Sequence, residues 1–376
     1  MTENVKYATA AGTARYAARF AHLAADHFRQ RYGLWLSSIG LGTYLGSPDA
    51  STGEGYIASI RRAVEMGCNM IDTAVNYRYM QSERNIGEAL TILFDEGTVR
   101  RDEIVVCTKG GFVPFENGPP ADPVESIYER FYETGITQPM ELVGNSHCMA
   151  PDYLSNQIGV SLANLGLETI DVYYLHNPET QLDYVTPDEF RRRIRAAFAH
   201  LEEEAASGRI RFYGIATWDG LRAAQTARNY LPLSLFVQIA REVAGEKHRF
   251  RFVQFPYNLR MLEAVLDGNQ IFKGERNGQS ERLTLPLLAA ARQYALAAMG
   301  SAGLSQRQLF GQVPSDVREI LGEFSTDAQY AIQFNRSTPG LTTTLIGMGN
   351  PQHVEENLRV AQRSALTPDA FFSLFR

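Results

Sequence analysis

Eight short apolar runs recur along the chain, most of them followed by a stretch of helical periodicity, and this alternation limits the fold more than any other feature. The runs are Ser38 to Leu41, Asn69 to Asp72, Glu103 to Thr108, Ile170 to Leu175, Ile210 to Ile215, Phe252 to Phe255, Leu296 to Met299 and Thr343 to Ile346. Among them lie Tyr56 to Met66, Arg84 to Phe94, Pro151 to Leu165, Arg191 to Ala206, Ala289 to Tyr294 and Thr326 to Phe334, most of them long enough for a crossover helix. Strand then helix, repeated, predicts an α/β fold closed as a parallel (β/α)8 TIM barrel rather than an open doubly wound sheet. A chain of 376 residues suits one such barrel with insertions.

Ahead of the first run, Thr13 to Arg29 carries Tyr16, Phe20, Leu23 and His27 at helical spacing in an alanine-rich setting. It is expected to form an amphipathic helix on the exterior or bottom of the barrel. Residues 1–33 are therefore read as an N-terminal helical extension and residues 34–376 as a single barrel domain. Two segments break the rhythm, Gly110 to Gly144 and Asp267 to Arg282. Each follows a strand on its C-terminal side, where barrels keep their active sites, so both are expected to be long lid or specificity loops.

Composition excludes several classes. A net charge of −6 argues against nucleic acid as a partner. No run approaches the roughly 18 apolar residues needed to cross a bilayer, and the first ten residues lack a signal-peptide core, so no membrane partner and a cytoplasmic location are expected. Cys68, Cys107 and Cys148 show no CxxC spacing, and the adjacent His147 and Cys148 point opposite ways on a strand, so no metal is expected. A metal-dependent barrel hydrolase fails for the same want of clustered ligands.

Polar residues close three successive strands. Asp72 ends the second, with Tyr77 five residues on; Lys109 closes the run 105–109; His176 closes the run 171–176. At the C-terminal rim these would converge. A cationic Lys109 near the Tyr77 phenol favours the phenolate and lowers its pKa from about 10, while Asp72 keeps the lysine charged. Tyr77 then serves as general acid or base, and His176 hydrogen-bonds a substrate oxygen.

With these residues the chain resembles the aldo-keto reductase superfamily. The matching pieces are Gly40-Leu41-Gly42-Thr43, Ile71-Asp72-Thr73-Ala74 with Tyr77, Thr108-Lys109, Leu175-His176-Asn177-Pro178, Tyr213-Gly214-Ile215, Gln254, Leu345-Ile346-Gly347 and Glu355-Glu356-Asn357-Leu358. The resemblance runs from about Leu34 to about Leu358. It implies a nicotinamide-dependent oxidoreductase acting on an aldehyde, ketone, alcohol or sugar, with Asp72, Tyr77, Lys109 and His176 catalytic.

It also implies a cofactor site at Gly42, Thr43, Asp72, Thr217, Gln254, Ser301, Gly347, Met348, Gly349, His353, Glu356 and Asn357. The pattern is altered there. Ala216-Thr217 stand where relatives carry Ser-Asn, and Ser301 stands near the place of an aromatic that stacks on nicotinamide. NADP-specific relatives carry Lys and Arg at the positions held here by Gly347 and His353. A 2′-phosphate needs cationic donors, so NAD(H) or dual use of NAD(P)(H) is expected over strict NADP. Arg307 and Arg336 are alternative phosphate contacts. Phe112, Trp218 and Tyr257 are expected to line the substrate cleft, with Phe115 a further candidate. The chain is expected to be a monomer or small homo-oligomer. The competing reading is a non-catalytic nucleotide-binding regulatory subunit.

Overall fold

The computed structural model describes residues 5–276, 279–305, 311 and 313–375. After a short N-terminal helix comes an antiparallel hairpin, β1 (Phe28–Arg31) and β2 (Leu34–Ser37). There follow β3 (Ile39–Gly42), β4 (Met70–Asp72), β5 (Val105–Gly110), β6 (Ile170–His176), β7 (Ile210–Ala216) and β8 (Phe250–Pro256). A second hairpin, β9 (Gln270–Arg276) and β10 (Gln279–Leu285), precedes β11 (Ala297–Ser301) and β12 (Leu341–Gly347). Eight parallel strands close in the order β11-β12-β3-β4-β5-β6-β7-β8, so each of the eight apolar runs is a barrel strand.

Side chains alternate along these strands, which sorts the core into two layers. Met70, Val105, Cys107, Val172, Tyr174, Phe252, Ala297 and Met299 form one buried cluster inside the barrel. Their neighbours Ile71, Val106, Tyr173, Leu175, Val253 and Ala298 belong to the larger cluster shared with the surrounding helices. Helices Ala50–Glu65, Gln81–Asp95, Pro151–Leu165, Pro187–Ala206 and Leu233–Ala244 make successive crossovers.

The N-terminal helix differs from its expectation. It spans Ala10–Ala18, capped by the Thr9 hydroxyl, instead of reaching Arg29. Tyr16 anchors it through a hydrogen bond to the Val64 carbonyl, 2.5 Å. Phe28–Arg31 is a strand because Tyr32 and Gly33, with φ of 51° and 79°, supply the two left-handed residues of a tight hairpin turn. Leu34 and Leu36 are fully buried and join the interior cluster, plugging the end of the barrel opposite the strand C-termini. The proposed boundary between residues 33 and 34 thus falls inside this turn.

The two expected loops also carry structure. Gly110 to Gly144 contains the short helix Pro123–Ile127 and a π-helical turn, and its Val113, Ile127, Phe131 and Leu142 form a satellite core with Cys148 and Tyr153. Asp267 to Arg282 is largely the β9–β10 hairpin. It leaves from the barrel side, where the buried Gln270 amide binds the Leu221 and Leu231 carbonyls and accepts from the Leu233 N–H.

Candidate active site

Strand register brings the polar residues together. Asp72 pairs with Gly42 and Cys107, Lys109 with Tyr174, and His176 with Ala216, which pairs in turn with Gln254. All lie at the C-terminal ends of neighbouring strands. Lys109 is fully buried and donates to Asp72 Oδ1 at 2.5 Å and to the Thr73 carbonyl at 2.7 Å. Gln254 donates to Asp72 Oδ2 at 2.7 Å, so both carboxylate oxygens are engaged. The Tyr77 ring centroid is 4.9 Å from the Lys109 ammonium and 5.7 Å from the His176 ring.

Tyr77 enters a strained turn. Arg78, Tyr79 and Met80 all have positive φ, 48°, 54° and 71°, which costs energy in non-glycine residues and is held by surrounding contacts. Arg78 supplies them: it donates to the Ser47 carbonyl and to Asn85 Oδ1, both at 2.9 Å, with its guanidinium over Tyr56.

Electrostatics correct one expectation. Burial raises the Tyr77 pKa above 10; Lys109 pulls it back without reversing the direction. Burial opposes the Lys109 charge, but Asp72 and Tyr77 together raise its pKa above the ordinary value. His176 is driven well below 6.5 by burial, then by Lys109 and His147, so it is neutral near pH 7. Tyr77 is therefore protonated in the free protein and the ammonium beside it lowers the cost of a phenolate.

These groups open onto a cavity of about 1210 Å³ that runs from Asp72, Tyr77 and His176 to Asn357. Gly42, Thr43, Thr217, Gln254, Ser301, Gly347, Gly349, His353, Glu356 and Asn357 line it, as do Phe112 and Trp218. Four expected residues do not join them. Met348 is fully buried on the opposite face from Gly347. Tyr257 is also fully buried; its hydroxyl pairs with Thr338 at 3.0 Å and its ring stacks on Phe334, away from the cleft. Arg336 is spent on Gln333, the Val360 and Arg363 carbonyls and Ser38, so it is no phosphate contact. Arg307 lies outside the described residues. Phe115 borders a smaller surface pocket instead.

The sequence reading missed Tyr44, Leu45 and Asn76 as lining residues, although each stands within three residues of one it named. It also missed Glu179, whose buried Oε1 accepts from the Trp218, Asp219 and Gly220 N–H groups at 2.8, 3.2 and 3.3 Å and so braces the loop carrying Thr217.

The cavity suits a nicotinamide dinucleotide. On its wall Thr217 Oγ1, just after β7, and Asn357 Oδ1, on the helix Pro351–Leu358 after β12, are buried without a protein partner, positions that an amide and an amino-purine would satisfy. Glu356 is held beside Asn357 by the Thr326 hydroxyl at 2.6 Å. Among the described residues no group of His, Cys, Asp or Glu could hold a metal, and no helix is long and apolar enough to cross a membrane.

A model of the aldo/keto reductase family matches residues 38–263. The NADH-specific methylglyoxal reductase of Escherichia coli (strain K12) is 31% identical over 201 residues, 52% of this chain and 52% of that protein. The match thus spans about half the length of that relative. A putative voltage-gated potassium channel subunit beta of Schizosaccharomyces pombe is 23% identical over 360 residues, 91% of this chain and 90% of its own. Among solved structures, an aldo/keto reductase from Klebsiella pneumoniae in complex with NADP and acetate has a TM-score of 0.61 at 18% identity, covering 94% of this chain and 96% of that one. A glycerol dehydrogenase from Gluconobacter oxydans has a TM-score of 0.63 at 18% identity, covering 94% and 95%. At such identities the structural likeness concerns the fold; the family match covers more than half the chain, and this chain belongs to the aldo/keto reductase family.

Proposed function

We propose that the chain is an NAD(P)(H)-dependent oxidoreductase that interconverts a carbonyl and its alcohol on an aldehyde, ketone or aldose, with Tyr77 as general acid and base. The supporting observation is the buried Lys109–Asp72 pair beside Tyr77, on a cavity of about 1210 Å³ lined from Asp72 and Tyr77 to Glu356 and Asn357. Bound nicotinamide supplies or accepts the hydride. In reduction the Tyr77 hydroxyl gives its proton to the carbonyl oxygen; in oxidation the phenolate takes it back. The neutral His176 donates an imidazole N–H to the same oxygen, and Lys109, kept charged by Asp72, stabilises the phenolate.

The adenosine end supports NADH at least as well as NADPH. Asp327, Asn350, His353 and Glu356 line it, and among the described lining residues there is no Lys or Arg for a 2′-phosphate. The near full-length likeness to a protein named as a channel subunit supports the second reading, a regulatory barrel without turnover. Assay of aldehydes and aldoses with wild type and Tyr77→Phe separates the two. Turnover should fall by about 10²–10⁴-fold in the variant with NADH affinity nearly unchanged. Equal turnover in both proteins would remove Tyr77 from the chemistry, and none in either would favour the regulatory barrel.

A further inference from the structure

His147, beside Cys148 in sequence, is absent from the cavity wall yet lies directly behind it. The residue is fully buried. Its Nε2 lies 2.6 Å from the carbonyl oxygen of His176, and its Nδ1 lies 2.8 Å from the Gln181 amide nitrogen. A carbonyl only accepts and an NH2 only donates, so the ring carries its proton on Nε2 and accepts at Nδ1. Gln181 in turn accepts at Oε1 from Arg193 at 2.6 Å. Three hydrogen bonds thus run in one direction, from a guanidinium inward to the last residue of β6, an arrangement in which each bond polarises the next.

The carbonyl they hold belongs to the peptide that leaves β6, whose N–H, that of Asn177, donates to the Ala216 carbonyl at 2.6 Å while Asn177 turns the chain in the left-handed region at φ 46°, so His147 fixes the opposite edge of the same peptide. The Phe112 ring packs edge-on against both imidazoles, with centroids 5.0 Å from each. Gly111 makes the approach possible: at φ 140° it favours glycine, and a Cβ there would lie 2.8 Å from His147 Nε2. Arg193 also ties down the far end of the same loop through the Met140 and Glu141 carbonyls.

We propose that His147 is a positioning residue: by gripping the His176 carbonyl and wedging Phe112, it fixes the imidazole that orients the reacting carbonyl and one wall of the substrate cleft. The inference rests on the reading of His176 given above. Burial keeps His147 neutral, with its pKa lowered to about 4, consistent with the single tautomer that the partners require.

The test is a cycle on the full chain with His147→Phe, His147→Gln, His176→Ala and the double variant His147→Phe/His176→Ala, with NADH affinity measured throughout. His147→Phe should lower kcat/KM about 10–100-fold with NADH affinity within about twofold, and His147→Gln, whose amide N–H reaches the same carbonyl, should restore most of it. In the His176→Ala background the His147→Phe loss should shrink to under about threefold. A full, additive loss there would show that His147 acts through packing alone and overturn the proposal. Tyr77→Phe runs as a control, since its retained turnover would sink the acid-base reading and leave the coupling measurable. Should no variant turn over, imidazole nitrogen spectra at pH 7 decide instead: the His176 ring signals should move in His147→Phe and return in His147→Gln, and unmoved signals would overturn the proposal.

Discussion

Gly347 closes β12 facing the cavity, and an added Cβ would come no nearer than 3.5 Å to Leu45. The position therefore accepts a side chain without backbone strain. Gly347→Lys should place a cation where a 2′-phosphate would lie and shift the NADPH to NADH affinity ratio upward by about tenfold, the worth of one charge-assisted hydrogen bond. Binding titrations of both cofactors read this directly, and an unchanged ratio would mean that other residues read the ribose. The same strand alternation explains which site residues the sequence disclosed. Asp72, Lys109, His176, Gln254 and Gly347 lie at or within two residues of the C-terminal ends of their strands, each two residues after an inward member of the interior cluster, so a polar or small residue at that place is informative. Tyr257 and Met348 each follow an inward residue by an odd step and point into the helical layer. His147 and Glu179 were hidden because their partners, the His176 carbonyl at the end of β6 with the Gln181 amide and the N–H groups of residues 218–220, lie far from them in sequence.

At the scale of elements, the N-terminal hairpin closes the bottom of the barrel, where the sequence suggests a helix on the exterior or bottom. Leu36 is fully buried against the interior cluster. Leu36→Ala should cost about 2–5 kcal/mol, as buried leucine truncations do. Denaturant unfolding measures it, and a loss below about 1 kcal/mol would show that the hairpin is a loosely held appendage. The hairpin escaped notice because Tyr16, Phe20, Leu23 and His27 keep a helical rhythm past the point where the helix stops. Strand Phe28–Arg31 is polar on one side and carries no strong β signal. The segment Asp267 to Arg282 reads as a loop because it breaks the strand-helix rhythm after a strand, although Asn277-Gly278, outside the described residues, is a strong hairpin signal in sequence. The barrel strands were legible throughout, because each is an apolar run buried on both faces.

For the whole molecule, buried titratable groups set how stability follows pH. His27 donates and accepts inside the fold, with Gly67 O at 2.9 Å from Nε2 and Ser38 Oγ at 3.0 Å from Nδ1. Burial lowers its pKa from 6.5 to about 4. The unfolded chain therefore binds the extra proton first, and the stabilisation present above pH 6.5 is lost as pH falls toward 4, about 3 kcal/mol at about 1.4 kcal/mol per unit. Asp72, Glu83 and Glu179 have raised values and act with the opposite sign, so the comparison is made between wild type and His27→Gln. Their stability difference in urea should narrow between pH 7 and pH 4.5; a constant difference would mean that His27 is not held neutral.

The central claim is that the cavity from Tyr77 to Asn357 holds a nicotinamide dinucleotide. Equilibrium titration of the purified chain with NADH and, separately, NADPH, followed by quenching of protein fluorescence, tests it with no assumption about substrate. Trp218, on the cavity wall, is a built-in reporter. Saturable quenching with NADH bound at least as tightly as NADPH is the predicted result; titrations flat with both cofactors would contradict the account.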